Sequence, residues 1–158
     1  MSNIIAGREA ELALLNTRVA ALAQGRHVLA VGEPGALALP AHPDPGVTPD
    51  CVVVAFQWSR VARDEQDAFL ADLRARSGPG ALLVLVDDAY VEGVSPPVAR
   101  TDLQGNTYQR VTGADGVQVE LPKNYPSDSA LRKRLAGAVR DIRIERFTHF
   151  WLLTCRLK

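Results

Sequence analysis

The sequence predicts an α/β domain with parallel central strands, a C-terminal antiparallel strand pair and an inserted β-hairpin. Residues 51–56 and 81–86 form apolar runs without polar alternation, as strands buried on both faces do. An amphipathic helical pattern lies between these runs, and strand–helix–strand units of this kind make parallel neighbours. Near the C-terminus two further strand-like runs lie too close together for a parallel crossover, which predicts an antiparallel pair.

The 158 residues suit one domain, residues 1–158. The chain has 18 Lys and Arg residues against 18 Asp and Glu residues, so no net charge attracts nucleic acid or an anionic membrane. No apolar run approaches the roughly 20 residues of a membrane span, and the N-terminus lacks the layout of a signal peptide. We therefore expect a cytoplasmic protein without nucleic-acid or membrane partners, in which Cys51 and Cys155 are buried thiols.

The N-terminal half contains three of the predicted elements. Apolar residues recur at three- and four-residue steps over residues 8–24, which predicts a helix that Gly25 ends. Residues 27–31 form a short apolar run that enters a turn, Gly32-Glu33-Pro34-Gly35, and are predicted to be the first strand. The helix between the two buried strands is predicted over residues 63–76 and stops at Gly78-Pro79-Gly80.

A long polar stretch rich in glycine and proline follows residues 87–88 and predicts a lid-like loop. Residues 108–112 and 117–121 flank Asp115-Gly116, which predicts a β-hairpin. Ser127 or Asp128 can cap a helix that we expect to run through Leu131, Leu135 and Val139. The antiparallel pair is predicted over residues 141–147 and 148–157.

Several local sequences resemble one enzyme family. Residues 50–59, Asp-Cys-Val-Val-Val-Ala-Phe-Gln-Trp-Ser, resemble the fourth strand and the following cofactor-side segment of class I S-adenosylmethionine-dependent methyltransferases. Residues 69–73 and 79–87 resemble the next helix and the fifth strand of that family, where a Pro-Gly turn leads into a strand that ends in an acid. Residues 105–109, 123–127 and 151–153 resemble a bacterial subgroup of small-molecule methyltransferases.

The resemblance implies a Rossmann-like sheet and S-adenosylmethionine as cofactor, but the chain departs from the family at the cofactor half. Residues 28–35 take the place of the first strand and its glycine-rich turn, with Ala30 at the acidic position and Pro34 among the glycines. The family binds the ribose hydroxyls with an acid that ends a second strand. Here the 17 residues from Glu33 to Pro49, five of them prolines, are too few for helix, strand, helix and strand. The sequence therefore predicts a truncated sheet.

The resemblance implies two sets of site residues and assigns none of them a catalytic role. The cofactor side would be lined by Gly32, Gly35, Asp50, Phe56, Trp58 and Ser59. The second set lies in loops at predicted strand ends, where open α/β sheets bind ligands. These candidate substrate contacts are Asp87, Tyr90, Asn106, Tyr108, Lys123 and Asn124. No metal site is predicted, because the three histidines are scattered along the chain.

Three features of the sequence can each be interpreted in two ways, one functional and one structural. Residues 87–88 could supply a general base or hold a cation, but neighbours on a strand face opposite sides, which favours a loop cap. Tyr108, Tyr125 and Trp151 could form an aromatic pocket for a small apolar substrate, or pack the hairpin onto the sheet. The basic run at residues 132–134 could attract an anionic partner, although a solvated helix face is the ordinary explanation.

A first strand without its second and third neighbours becomes a sheet edge, which the proline-rich segment, the first helix or a second copy of the chain can cover, and we favour the second copy. We therefore expect a homodimeric, methyltransferase-like protein with weak or lost S-adenosylmethionine binding that acts as a binding or scaffold module. The alternative is an active minimal small-molecule methyltransferase whose pocket is completed across the dimer interface. A third interpretation is an incomplete gene product.

Overall fold

The structure is a computed structural model and describes residues 2–33, 37 and 46–158. The helices in these residues are α1 (Ser2–Ala23), α2 (Gln66–Ala75) and α3 (Asp128–Leu135). The strands are β1 (Val28–Gly32), β2 (Cys51–Ala55), β3 (Leu82–Asp88), β4 (Arg100–Thr101), β5 (Thr107–Thr112), β6 (Gln118–Pro122), β7 (Val139–Arg146) and β8 (Phe150–Leu157). Two single-turn 3-10 helices, Trp58–Arg60 and Arg63–Glu65, connect β2 to α2.

The main sheet has the strand order β1-β2-β3-β8-β7. Strands β1, β2 and β3 are parallel, β8 is antiparallel to β3, and β7 is antiparallel to β8. Four strands therefore run in one direction and β8 in the other. This confirms the predicted α/β class, the parallel core strands and the C-terminal antiparallel pair, and it makes β1 an edge of the sheet in the part of the chain that the structure describes.

A second, three-stranded sheet has the order β4-β5-β6, and we call it the ribbon sheet. Its hairpin β5-β6 confirms the predicted turn, in which Gly116 has a positive φ of 79°. Strand β4 pairs with β5, so the stretch predicted as one long loop contains a short strand at its end. The carbonyl of Thr107 accepts a 2.8 Å hydrogen bond from the amide of Lys123, which closes the base of the hairpin.

The core has two layers, one on each face of the main sheet. Helix α1 covers one face through Leu15 and Val19, beside strand residues such as Val53. Helices α2 and α3 cover the other face, and Leu73 and Leu135 are fully buried there. The β2 and β3 runs are buried at almost every position, which explains why they lack polar alternation.

Several predicted element boundaries are wrong by a few residues, and one residue was assigned to a helix but lies in a strand. Helix α1 begins at Ser2 rather than at residue 8. Val139 is the first residue of β7 and pairs with Leu157, whereas the sequence places it in the last helix. Val139 lies four residues after Leu135 and is buried in the same core, so its spacing imitates a helical period although the helix has ended. Thr148 lies in the turn before β8, not in the strand.

Both cysteines are free and buried, as predicted. Burial raises the pKa of the Cys51 thiol to about 11 and that of the Cys155 thiol to about 12. Most of the proline-rich segment, including Gly35 and Pro34, lies outside the described residues. None of the helices that the structure describes has the length and apolar character of a membrane span.

Candidate functional site at the carboxyl edge of the sheet

The carboxyl ends of β1 and β2 have unusual backbone geometry. Gly32 ends β1 with a φ of 114°, and a Cβ atom at this position would lie 2.0 Å from the carbonyl oxygen of Ala55. Phe56 follows β2 with a φ of 57°, a conformation that bulky residues rarely adopt. Its amide donates a 2.9 Å hydrogen bond to the carbonyl of Val86. Strained backbone of this kind is often found at binding and catalytic sites.

A buried ion pair lies at the carboxyl end of β3. The Asp87 carboxylate is fully buried and accepts 2.8 Å hydrogen bonds from the Ser59 amide, the Ser59 hydroxyl and the Asp88 amide. The Lys123 ammonium is 2.9 Å from the Ser59 hydroxyl, 3.3 Å from Asp87 Oδ1 and 2.8 Å from Asp88 Oδ2. Lys123 is itself 6% exposed. One lysine therefore forms ion pairs with two neighbouring carboxylates.

The charges of this pair act on each other. Burial raises the pKa of the Asp87 carboxyl, and the Lys123 charge and the Ser59 hydrogen bonds oppose that rise. Burial alone would lower the pKa of the Lys123 ammonium, but the nearby Asp87 and Asp88 carboxylates outweigh burial and raise that pKa. The lysine is therefore charged throughout the neutral range.

Amide side chains extend this network to the ribbon sheet. Asn124 donates a 3.2 Å hydrogen bond to Asn106 and accepts a 2.8 Å hydrogen bond from the Thr107 amide. Asn106 in turn accepts a 2.8 Å hydrogen bond from the Arg63 amide. The backbone amide of Asn124 donates a 2.8 Å hydrogen bond to the Ser59 carbonyl. These bonds join the ribbon sheet to the β2–α2 connection and hold Lys123 in place.

The structure brings together five of the twelve candidate site residues. They are Ser59, Asp87, Asn106, Lys123 and Asn124. Gly32 and Phe56 lie at the same sheet edge, and Gly35 lies outside the described residues. Asp50 does not reach this edge, since it precedes β2 and its carboxylate accepts a 2.8 Å hydrogen bond from the His27 amide at the amino ends of the strands. Trp58 is buried in the core, 6.0 Å from the Phe69 ring.

Two of the three aromatic residues of the predicted pocket, Tyr125 and Trp151, line one cleft of about 330 Å³ together with Tyr90, and Tyr108 lies outside it. Tyr108 stacks under the Arg100 guanidinium and donates a 2.9 Å hydrogen bond to Asp102. Tyr125 packs edge-on against Tyr90, with ring centroids 5.3 Å apart, and Trp151 is fully buried in the sheet. Tyr108 thus packs against its own segment of the chain, and the aromatic pocket stays a prediction for Tyr125 and Trp151. For residues 87–88 the sequence favoured a loop cap, because neighbours on a strand face opposite sides. In the structure both carboxylates nevertheless contact the same Lys123 ammonium.

Sequence reasoning missed two arginines at this edge. Arg8 of α1 forms a 3.2 Å ion pair with Asp88, and its guanidinium lies 4.7 Å from the centroid of the Phe150 ring. Arg60 donates a 3.3 Å hydrogen bond to the Pro122 carbonyl. Neither residue lies in a motif, and the Arg8–Asp88 contact joins positions 80 residues apart. Only the three-dimensional packing of α1 over the sheet edge reveals it.

A small cleft, which we call the edge cleft, opens between these groups and has a volume of about 130 Å³. It is lined by Arg8, Leu12, Glu33, Phe56, Arg60, Asp88 and Lys123. An adjoining cleft of about 160 Å³ shares four of these residues, Arg8, Arg60, Asp88 and Lys123. No group of three or more histidine, cysteine or acidic side chains suited to a metal ion occurs among the described residues.

No protein-family model matches the sequence, and no curated protein matches it closely enough to count as a relative. Solved structures do match. DhpI in complex with SAH is similar with a TM-score of 0.54 and 23% identity, over 72% of this chain and 49% of that one. The PH0226 protein from Pyrococcus horikoshii OT3 has a TM-score of 0.51 and 11% identity, over 70% of this chain and 55% of that one. This chain thus spans about half the length of both.

CalS10 is matched over a larger share of its own length. It is an amino pentose methyltransferase from Micromonospora echinaspora involved in calicheamicin biosynthesis, in a structure with S-adenosylmethionine bound. The similarity has a TM-score of 0.50 and 18% identity, and it covers 97% of this chain and 95% of that one. At these identities the similarity concerns the fold. The chain has the Rossmann-like fold of S-adenosylmethionine-dependent methyltransferases, with β1 as a sheet edge among the described residues.

Proposed function

We propose that this chain is a methyltransferase-fold protein that binds S-adenosylmethionine weakly or not at all and serves as a dimeric binding module. The observation that carries the proposal is the Arg8–Asp88 ion pair, which lies across the sheet edge where the fold would hold the cofactor. Pockets for ligands of this size enclose about 300–1,000 Å³. The edge cleft has about 130 Å³ and its neighbour about 160 Å³, so each is smaller than that range. A third cleft of about 330 Å³ reaches Asp88 and Tyr90, but none of the residues predicted for the cofactor lines it.

The residues around β1 also fit the cofactor poorly. The space beside Gly32 is filled by the Ala55 carbonyl, so this glycine serves strand packing and leaves no room on that side. Position 30, where the family has an acid, is an alanine. Among the described residues, no strand lies beyond β1 to supply a carboxylate for the ribose hydroxyls. Each of these differences removes a contact that positions the cofactor for methyl transfer.

Thermal unfolding gives a first test. A ligand present at a hundred times its dissociation constant stabilises a protein by about 2.7 kcal/mol, which raises the melting temperature of a chain of this size by more than about 5 °C. We expect millimolar S-adenosylmethionine or S-adenosylhomocysteine to leave the melting temperature within about 1 °C of its value without ligand. A rise of several degrees with either compound contradicts the proposal.

The dimer is proposed from the hydrogen-bonding pattern of β1. The His27 carbonyl accepts from Cys51, and the Glu33 amide donates to Ala55, so odd-numbered residues of this strand face β2. In a parallel ladder the even-numbered residues then direct their amides and carbonyls to the other side. Among the described residues no strand pairs with that side. Edge strands of this kind readily pair with another chain.

Substitution of Ala30 by proline tests this interface. The amide of Ala30 points away from β2, so proline should keep the β1–β2 ladder while blocking pairing at the outer side. We expect the wild-type chain to sediment at twice its 17.1 kDa and the Ala30→Pro variant at 17.1 kDa, with both remaining folded by circular dichroism.

The matched control is Val119→Lys, which changes an exposed apolar residue on the ribbon sheet. It should leave the mass of the wild type unchanged. A monomeric wild type contradicts the dimer, and a dimer that Val119→Lys dissociates while Ala30→Pro does not would place the interface on the ribbon sheet instead.

A second candidate is an active minimal small-molecule methyltransferase whose pocket is completed across the dimer. The observation that favours it is the ordered set of Ser59, Asp87 and Lys123 at the sheet edge, a costly arrangement for a purely structural role. This candidate predicts that the dimer binds S-adenosylmethionine and that Ala30→Pro abolishes dimerisation and binding together. Binding by a monomer excludes it.

A further inference from the structure

A larger cavity of about 540 Å³ lies between the ribbon sheet, the start of α2 and the helix α3, and we call it the ribbon cavity. Its apolar wall consists of Trp58, Tyr125, Pro126, Ala130 and Leu131. Its polar rim consists of Arg63, Gln66, Gly105, Thr107, Asn124, Lys133 and Arg134. The volume falls within the usual range for pockets that hold small organic ligands, and no lining residue is shared with the edge cleft.

The charges on the rim of this cavity are all positive. Arg63, Lys133 and Arg134 line it, and none of the lining residues is acidic. Arg134 donates a 2.7 Å hydrogen bond to the amide oxygen of Gln66 and another to the Arg63 carbonyl, both neutral acceptors. The nearest acid to Arg134 is Asp67, at 3.9 Å with a side chain that is 82% exposed, so solvent screens it.

The guanidinium of Arg63 has a neutral partner as well, since Nη1 donates to the Gln104 carbonyl at 3.3 Å. Arg63 and Arg134 are thus ordered by hydrogen bonds to neutral acceptors, which leave most of their charge uncompensated. A concave site with one sign of charge and an apolar wall concentrates ligands of the opposite charge. Two residues of the basic run at 132–134, Lys133 and Arg134, therefore line a cavity rather than only a solvated helix face.

We infer that the ribbon cavity binds a small organic anion, consisting of a flat apolar ring system and one carboxylate, sulfonate or phosphate group. The ring would lie against the half-buried residues Tyr125, Pro126 and Ala130, and the anionic group would lie among Arg63, Lys133 and Arg134. The inference rests on the proposed role as a binding module and names the ligand class of that module. It can be tested separately from cofactor binding, because the ribbon cavity and the edge cleft share no lining residue, although Trp58, which the sequence assigned to the cofactor side, lies in the wall of the ribbon cavity.

Fluorescent dyes provide the test. Anilinonaphthalene sulfonate carries an aromatic ring system and a sulfonate, and phenylnaphthylamine has the same rings without the charge. We expect the sulfonate to bind at least about fivefold more tightly than the neutral dye at low salt, and Lys133→Gln to remove about threefold of that affinity. Arg132→Gln is the matched control, because it removes the same charge from the neighbouring residue, which does not line the cavity.

A second variant and a second readout locate the binding site. Ala130 is half-buried on the cavity wall, and Ala130→Trp should fill the space and reduce sulfonate binding more than tenfold. In amide and indole NMR spectra, the dye should shift the indole N–H signal of Trp58 and leave that of Trp151 unchanged. Equal affinity for both dyes, equal effects of Lys133→Gln and Arg132→Gln, or binding that Ala130→Trp leaves intact would each overturn the inference.

These outcomes are separable from those of the cofactor experiments. Tight S-adenosylmethionine binding with normal dye binding would refute the proposed loss of the cofactor and leave the anion site standing. Absent dye binding with absent cofactor binding would refute the anion site alone.

Discussion

Replacing Lys123 by methionine is expected to lower the free energy of unfolding by about 3–5 kcal/mol, the usual cost of removing one partner of a buried ion pair. The variant keeps the length of the side chain but leaves the fully buried Asp87 carboxylate without its cation. The ribbon sheet should also loosen, because the ammonium joins β6 to Ser59 and Asp88. Urea unfolding followed by tryptophan fluorescence measures the loss.

The pH dependence of this variant identifies the cause. Without Lys123 the pKa of Asp87, already raised by burial, rises further, so the folded state keeps a proton that the unfolded chain releases near pH 3.8. The deficit relative to wild type should therefore be small at acidic pH and grow as the pH rises towards neutral. In the wild type, the contribution of Lys123 is present from neutral pH, where Asp87 is ionised, up to the unfolded lysine pKa of 10.5, and it is lost as the pH rises through the higher folded pKa.

The double variant Asp87→Asn with Lys123→Met is the control. It removes both charges, and it should recover most of the loss because no buried charge remains unpaired. A deficit that is the same at every pH, or that the double variant does not reduce, would show that packing rather than charge explains the effect.

Replacing Gly32 by alanine is expected to cost at least about 3 kcal/mol. Two penalties combine: the positive φ of 114° strains any side chain, and the new Cβ would lie 2.0 Å from a backbone oxygen that cannot move without distorting β2. Thermal or urea unfolding measures this loss.

Gly25→Ala separates the two penalties. Gly25 also has a positive φ, 73°, but no atom lies within 4 Å of the position that its Cβ would occupy. It should cost only about 1 kcal/mol. Equal losses at the two positions would mean that the close contact with Ala55 contributes nothing, and that Gly32 is not required for the packing of β1 on β2.

Much of the fold can be predicted from the sequence, because buried strands and helix faces require apolar residues at regular positions. The apolar runs that became β2 and β3, the Asp115-Gly116 turn and the Ser127 cap all reflect local rules. The Ser127 hydroxyl indeed accepts a hydrogen bond from the Ala130 amide at 3.1 Å. The four-residue spacing between Leu135 and Val139 led to a wrong helix boundary. A residue that follows a helix can return to the same core through a turn of the chain.

The site could be predicted only in part. The end of β3 pointed to Asp87, since parallel strands direct their carboxyl ends to one edge, whereas Lys123 and Asn124 follow a strand of the antiparallel ribbon sheet and came from the family resemblance. Strand direction also explains why Asp50 was misplaced, because a residue that precedes a strand lies at the amino edge. The Arg8–Asp88 ion pair joins a helix to a strand end 80 positions away, and no local pattern encodes such a contact.

Calorimetric titration with S-adenosylmethionine and S-adenosylhomocysteine tests the central claim most directly. We predict heats that do not exceed dilution at micromolar protein, which corresponds to a dissociation constant weaker than about 1 mM. An isotherm with a micromolar dissociation constant for either compound would contradict the account, because it would require the Arg8–Asp88 pair to open and the small edge cleft to expand around the cofactor.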